Sequence, residues 1–178
     1  MKIENFIKQS YTKNNQLLRV LGIDPGTATV GWAIIEEKAG ILLPVAFGHI
    51  STSKHNSEEN RLAEISTDLA SIIEKYKPEE AAVEQLFFFK NQKTIIEVGQ
   101  SRGGILLTLE QKGVRISSYT PLQVKQAVTG YGRAEKKQVQ LMVKSILKLK
   151  AIPKPDDTAD AIAIAICHIN SRKLSSLK

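Results

Sequence analysis

The chain has 178 residues, which is long enough for one domain with a substantial buried core. Its apolar fraction of 42% and charged fraction of 24% are ordinary for a globular protein, and no apolar run approaches the ~20 residues of a membrane span. The single cysteine, Cys167, excludes an intrachain disulfide, and its aliphatic neighbours favour a core position. Because the first residues lack a signal-peptide pattern, we expect a cytoplasmic location.

The net charge of +7 is concentrated in one region. Between Lys125 and Lys154 there are eight basic residues and one acid, so this window carries the whole excess. A basic region on an otherwise neutral chain is typical of a protein that binds nucleic acid, although a solvated surface produces the same pattern. The basic residues in the window are Lys125, Arg133, Lys136, Lys137, Lys144, Lys148, Lys150 and Lys154.

The first half of the chain predicts three strands and then a helix. A polar extension at 1–17 precedes a domain at 18–172, which leaves a tail at 173–178. Strands are predicted at 19–23, 31–37 and 41–50, joined closely enough for an antiparallel meander. Ser57 is suited to cap a helix at 57–76, in which apolar residues recur at helical spacing.

The second half alternates strands and helices before ending in helices. Strands are predicted at 81–85 and 114–118, with a helix at 93–112 between them, which implies a right-handed parallel crossover. Further helices are predicted at 121–128 and 135–149, and a last one, capped by Asp156 or Asp157, runs to about Asn170. The order predicts an α/β fold with a mixed five-stranded sheet covered by helices on both faces.

Two carboxylates follow apolar strands. Asp24 ends the first strand before Pro25-Gly26, and Glu84 ends the run 81–83 in a strand expected to lie inside the sheet. A role in the turn explains Asp24 equally well, and an exposed strand end is the alternative for Glu84. A buried carboxylate needs a partner, however, and the nearest basic residue to Glu84 is Lys90.

Two more carboxylates, Asp157 and Asp160, share one face at the start of the last helix. Taken alone, they resemble a helix cap with an acidic third position. The helix that follows is apolar nearly all round, so it is buried, and the acids lie where it emerges.

Four such carboxylates brought together would repel one another unless a cation lay between them. Magnesium prefers oxygen ligands, and two ions roughly 3.5–4 Å apart can hold the attacking and leaving oxygens of a phosphodiester. The three histidines, His49, His55 and His168, are scattered, and we expect His168 to be structural. The pattern therefore predicts a magnesium-dependent nuclease.

At this point the sequence resembles the RuvC family of Holliday junction resolvases, over about Leu18 to Asn170. The motifs that carry the resemblance are GIDPGT at 22–27, VEQLF at 83–87, VGQSRG at 98–103, VKQAV at 124–128 and DTADAIAIA at 157–165, with Asn91, Gly132 and 134–136 between them. The chain departs from the family pattern in its early start and in Ser101, where alanine is expected.

The resemblance implies an RNase H-like fold and four acidic site residues, which here are Asp24, Glu84, Asp157 and Asp160. It implies a homodimer that holds two magnesium or manganese ions per subunit and makes paired nicks in a four-way junction, leaving 5′-phosphate and 3′-hydroxyl ends in recombination and repair. A branch-migration complex of RuvA and RuvB is the partner that it implies.

The same resemblance gives roles to residues around the acids. It places Phe87 against an unpaired base, and we favour this role for Phe87 over the alternative that Phe87, Phe88 and Phe89 all close a hydrophobic edge or dimer contact. Phe88 and Phe89 are expected to serve packing. It places Lys125 and Lys136 near the cleaved phosphate. The predicted helix at 135–149 adds a basic stripe of Lys137, Lys144 and Lys148, opposite an apolar face of Val139, Met142, Val143 and Ile146, and Arg133 precedes it.

Three glycines, Gly99, Gly103 and Gly104, lie inside the predicted helix at 93–112, where each costs roughly 1 kcal/mol relative to alanine. We therefore expect this helix to pack tightly on the sheet or on a partner subunit, and the family uses the region at its dimer interface.

Three other functions remain open. The sugar kinase and actin ATPases share the phosphate-loop pattern of the first strand, but they need two lobes. An RNase H-like nuclease for RNA–DNA hybrids or ribosomal RNA would have the same acids. A module that binds junctions without cutting them would be expected to have lost at least one acid.

Overall fold

The structure is a computed structural model that describes residues 17–86 and 92–175. Five strands are found there: β1 (Leu18–Asp24), β2 (Thr29–Lys38), β3 (Ile41–Ser51), β4 (Glu80–Glu84) and β5 (Arg115–Tyr119). The helices in these residues are α1 (Glu58–Tyr76), α2 (Gln92–Gln111), α3 (Pro121–Thr129), α4 (Lys136–Ile146) and α5 (Asp156–Ser175). The predicted order of elements is confirmed.

The strands form one sheet in the order β3-β2-β1-β4-β5. The first three pair antiparallel, whereas β4 lies parallel to β1 and to β5. In this register Ile23 of β1 pairs with Val83 of β4. Asp24 and Glu84 each follow that pair, so the two carboxylate-bearing strand ends meet at the same edge of the sheet.

Helices cover both faces of the sheet, as predicted. On one face α3, α4 and α5 pack against β1 and β2, and the core there is made largely of the aliphatic run of α5. On the other face α1 and α2 pack around Ile65, Leu69, Ile105 and Leu109, all of which are buried. Cys167 is 1% exposed, which confirms its predicted core position.

Two glycines allow α5 to lie directly on the sheet. A Cβ atom at Gly31 would come within 2.0 Å of the Asp157 carbonyl oxygen, and one at Gly22 within 2.1 Å of the Ala161 carbonyl oxygen. Because Gly31 pairs with Asp24 across β1 and β2, this contact brings the start of α5 beside the end of β1. Close packing of this kind requires glycine in the strand.

The glycines of α2 behave differently from the prediction. A Cβ atom at Gly103 or Gly104 would meet nothing within 4 Å, and one at Gly99 would meet only the Leu86 side chain, at 3.8 Å. These glycines therefore do not bring α2 tightly onto the sheet. Packing of this helix against a partner subunit stays a prediction.

Three predicted helix features are wrong. Neither Asp156 nor Asp157 caps α5, because both lie in its first turn and the Thr158 amide bonds to the Pro155 carbonyl. The same helix continues to Ser175, past the predicted end near Asn170. The helix predicted at 135–149 is shorter, and Lys148 follows its end with a φ of 52°, so Lys148 does not share a helical face with the other lysines.

The apolar face of α4 also differs slightly from the prediction. Val139 and Val143 are buried, but Met142 is 39% exposed and Gln140 is buried instead. The remaining predicted segments end within a few residues of the observed strands and helices. Over the described part of the chain, no helix is both long and apolar enough to cross a bilayer.

Candidate metal centre

Asp24 lies at the end of β1, beside the start of α5. Burial is the largest cause that raises the pKa of its carboxyl well above the usual range. The charges of Glu84, Asp160 and Asp157 raise this pKa further, and the nearby Lys136 ammonium lowers it. A carboxylate in this position is costly to ionise unless a cation is bound to it.

The structure brings Asp24 together with the two acids of α5. Carboxylate oxygens of Asp24, Asp157 and Asp160 all lie within 4.8 Å of one another. The three-residue spacing of Asp157 and Asp160 on a helix and the contact at Gly31 place them there. The strand end and the helix face predicted from the sequence therefore meet.

Glu84 lies outside that tight group but is coupled to it electrostatically. Burial and then the charge of Asp160 raise the pKa of Glu84 to about 7, and the charges of Lys125 and Lys136 oppose this rise. Glu84 is half-buried at the end of an interior strand, as predicted. It forms the side of the cluster that faces Lys125.

Lys136, the first residue of α4, is the cation nearest the acids. Its Nζ lies 3.0 Å from an Asp160 oxygen and 3.7 Å from an Asp156 oxygen. Burial lowers the pKa of Lys136, but the hydrogen bond and charge of Asp160, with Asp156 and Asp157, outweigh it and the net shift is upward. The lysine therefore stays charged and neutralises only part of the cluster.

The donor set suits a hard divalent cation. It consists of carboxylate oxygens alone, the groups that magnesium, manganese and calcium prefer. Burial, and then the charge of neighbouring acids, raises the pKa of Asp24 and Asp160, with Lys136 opposing the rise at both. A divalent cation that binds here relieves the repulsion between the carboxylates and releases the protons that they retain.

The other predicted DNA-binding residues lie at different distances from the acids. Lys125 is half-buried in α3 and acts on Glu84. Arg133, Lys137 and Lys148 are exposed, Lys144 is half-buried in the last turn of α4, and the structure shows no contact between these four and the acids in the residues that it describes. Phe87 and its two neighbours lie outside the described residues.

His168 has a structural role, as predicted. Its Nε2 lies 2.6 Å from a Glu80 carboxylate oxygen and its Nδ1 lies 2.8 Å from the Tyr119 hydroxyl. Arg115 also binds Glu80, at 2.8 Å. This network ties α5 to β4 and β5 at the start of β4, while the acids lie near its end.

Sequence reasoning missed two residues of α2 that hold the site. Ser101 donates to the Gly26 carbonyl at 2.7 Å, and Arg102 donates to the Glu84 carbonyl at 2.9 Å. The sequence shows Ser101 only as a departure from the family pattern. The available signal was a hydroxyl on the face of the helix that also carries Ile105 and Leu109, because a buried hydroxyl needs a hydrogen-bond partner.

A mixed sheet with acids gathered where β1, β4 and α5 meet defines a nuclease of the RNase H-like class. The sequence profile described as crossover junction endodeoxyribonuclease RuvC matches residues 20–168. The chain belongs to the RuvC family. The prediction of this family and of its fold is confirmed.

Individual relatives are similar to this chain along most of their length. The protein of this description from Halothermothrix orenii is 56% identical over 156 residues, which are 88% of this chain and 94% of its own. The one from Syntrophomonas wolfei is 52% identical over 159 residues, 89% and 92% of the two chains. The structure of Thermus thermophilus RuvC in complex with a Holliday junction substrate is similar at a TM-score of 0.85 and 33% identity, covering 89% of this chain and 97% of that chain.

Proposed function

We propose that the protein resolves four-way DNA junctions by paired nicks, with Asp24, Glu84, Asp157 and Asp160 as its metal ligands and catalytic residues. The observation that carries the proposal is the group of three carboxylates within 4.8 Å, in a chain of the RuvC family. The relative from Thermus thermophilus supports the choice of substrate, because its structure is in complex with a Holliday junction.

The metal is magnesium, with manganese as a substitute, and two ions are held per subunit. Asp24 lies with the two acids of α5 and is coupled electrostatically to Glu84, so these four residues would hold the ions. When bound, magnesium would activate water and stabilise charge on a phosphodiester. The products that the resemblance to the family implies are 5′-phosphate and 3′-hydroxyl ends. The protein's own part is to hold the four carboxylates together at one edge of the sheet, where burial raises the pKa of Asp24 and Glu84 and a bound cation would favour their ionised form.

Lys136 and Lys125 act on the phosphate. Lys136 reaches Asp160 at 3.0 Å with half of its side chain still exposed, so its ammonium can turn from the acid to a phosphate oxygen. Lys125 lies on the Glu84 side of the cluster. Two cations close to the acids can hold the phosphate and stabilise the charge that develops during cleavage.

The rest of the DNA surface consists of Arg133, Lys137, Lys144 and Lys148, which lie on or beside α4. We include Phe87, which follows Glu84 by three positions in the sequence. The lysines bind phosphates of the junction arms and contribute affinity without sequence preference. Phe87 stacks on an unpaired base at the junction centre.

The active form is a homodimer that uses the open glycine face of α2. Leu107, on the same helix, is 59% exposed, and the positions of Gly103 and Gly104 leave room for a partner. A twofold dimer matches the twofold symmetry of a four-way junction, so two sites can cut opposing strands. A RuvA–RuvB branch-migration complex supplies the junction in the cell.

The test uses an immobile four-way junction, a linear duplex and an RNA–DNA hybrid, each with magnesium or with a chelator. We expect paired cuts in the junction only, lost with the chelator and in Asp24→Asn, while that variant still binds the junction. Light scattering gives the subunit number under the same conditions. Binding without cutting by the wild-type protein would contradict the nuclease assignment, and cutting of the hybrid instead would contradict the substrate.

A further inference from the structure

Two consecutive residues of α2 contact the ends of both carboxylate-bearing strands. Ser101 is fully buried, and its hydroxyl donates to the Gly26 carbonyl, two residues after Asp24, at 2.7 Å. Arg102 is half-buried, and its Nε donates to the carbonyl of Glu84 itself at 2.9 Å. The two side chains thus connect one helix to the backbone at Asp24 and at Glu84.

Arg102 also connects β4 with β5. Its Nη2 donates to the Ser118 hydroxyl at 2.9 Å, while its Nε is bound to the Glu84 carbonyl. The guanidinium is planar and presents its donors in a fixed geometry, so one side chain fixes the ends of two neighbouring strands relative to each other. A lysine at this position has a single donor nitrogen and cannot make both contacts in that geometry.

These contacts act where β1 and β4 are no longer paired with each other. The ladder between them stops at Ile23 and Val83, one residue before each carboxylate, whereas Asp24 stays paired with β2 and Glu84 with β5. Ionised Asp24 and Glu84 repel each other, which would separate the two strand ends. Bonds from a rigid helix to the backbone next to each acid oppose that separation.

We propose that Ser101 and Arg102 are positioning residues that set the separation of Asp24 and Glu84 for metal binding. The inference rests on the proposed function, in which those two acids are ligands. Both side chains bond to backbone carbonyls beside the acids, so both act through the position of the carboxylates. The turn after Asp24 thus carries a bond that depends on the Ser101 hydroxyl.

The test compares metal binding with folding in three variants: Ser101→Ala, Arg102→Met and Arg102→Lys. Thr108→Ala is the matched control for Ser101, because Thr108 is also a buried hydroxyl of α2, lies two turns further along the helix and bonds to Ser66 of α1. Arg115→Met is the control for Arg102. The readouts are manganese binding by the loss of its free paramagnetic resonance signal, junction affinity without metal, and thermal midpoint.

We expect manganese affinity to fall about 10- to 100-fold in Arg102→Met, by the usual effect of losing a residue that orients a metal ligand. The manganese affinity of Ser101→Ala should fall less. The Thr52 hydroxyl also holds this turn, because it donates to the Thr27 carbonyl at 2.6 Å. Arg102→Lys should fold as the wild type does and still bind manganese more weakly. Junction affinity without metal should not change.

The inference is overturned if these variants bind manganese no more weakly than Thr108→Ala and Arg115→Met at a similar thermal midpoint. If instead the proposed metal site were wrong, Asp24→Asn would also leave manganese binding unchanged, and this result distinguishes the two failures. Weaker binding in Arg102→Lys with an unchanged thermal midpoint supports the positioning role, since a purely structural residue would alter both.

Discussion

Asp24 is the residue at which burial and like charge act together most strongly. Its raised pKa and that of Glu84, about 7, mean that the metal-free site retains protons that ordinary carboxyls have lost at neutral pH. A divalent cation must displace these protons in order to bind. Metal affinity and pH are therefore linked in this protein through its own ligands.

We expect manganese or magnesium affinity to fall as the pH is lowered below about 7, by about tenfold per pH unit for each proton displaced. Calorimetric titrations across this range, in buffers of different ionisation enthalpy, measure both the affinity and the protons released. The Glu84→Gln variant is the control and should release fewer protons. An affinity independent of pH from below 6 to above 7 would contradict the prediction.

The same shift acts on stability without metal. Between its ordinary value of 4.5 and about 7, the Glu84 carboxyl is protonated in the folded protein but ionised in the unfolded chain. The folded state then binds more protons, so the free energy of unfolding falls as pH rises through this window. Thermal melts with a chelator should show this fall in the wild-type protein and a smaller one in Glu84→Gln, and added magnesium should oppose it.

Besides contacting Asp160, Lys136 changes the pKa of the acids, so replacing it should affect the cleavage rate more than junction binding. Its charge lowers the pKa of Asp160 and of Glu84. Lys136→Ala should therefore reduce the cleavage rate at saturating junction about 100-fold, by analogy with the loss of one transition-state donor, and should shift the pH profile of cleavage upward. Lys137→Ala, next in the helix, should weaken junction binding without shifting that profile. Equal effects of the two substitutions would contradict a specific role for Lys136.

At the scale of the elements, the decisive contact is that of α5 on the sheet. Gly31 and Gly22 allow the helix backbone to approach β1 and β2, and this places Asp157 and Asp160 beside Asp24. The position of the acids in the fold thus depends on two residues without side chains.

Gly31→Ala should show this dependence directly. Its Cβ would lie 2.0 Å from the Asp157 carbonyl oxygen, so α5 must move away. We expect a loss of about 1–3 kcal/mol in the free energy of unfolding, the usual cost of overpacking, together with weaker metal binding. Ser71→Ala in α1 is the control, because Ser71 is exposed and alanine favours a helix. Urea unfolding of both variants, without metal, measures the difference.

The strands, helices and four acids could be predicted because they follow from periodicity and from the places where apolar runs end. What could not be predicted depends on contacts between distant segments. The strand positions of Gly22 and Gly31 give no sign of which helix approaches them. Ser101 and Arg102 lie more than 70 and 15 residues from the carbonyls that they bind, so only the packed structure connects them. The end of α4 at Ile146 and the start of α5 at Asp156 depend on turn geometry that residue propensities describe poorly.

At the scale of the whole molecule, the acidic cluster and the basic residues of α4 are neighbouring but distinct surfaces. The acids lie where β1, β4 and α5 meet, and α4, which begins beside them with Lys136, carries basic residues away from them. Junction DNA bound along α4 would bring its phosphates to the acids without the acids having to attract them. Affinity then depends on α4 and its surroundings, whereas cleavage depends on the cluster.

This separation predicts how junction binding responds to salt. In a chelator, the slope of the logarithm of affinity against the logarithm of salt concentration should fall by about 0.9 for each duplex phosphate contact removed, so Lys137→Ala and Lys144→Ala should each lower it by about that amount. Lys75→Ala is the control, because Lys75 lies over the Tyr76 ring in the last turn of α1, away from α4. Fluorescence anisotropy with a labelled junction gives the slopes. If Lys75→Ala lowered the slope as much as Lys144→Ala does, binding would follow the net charge of the protein, and α4 would not be the surface that holds the DNA.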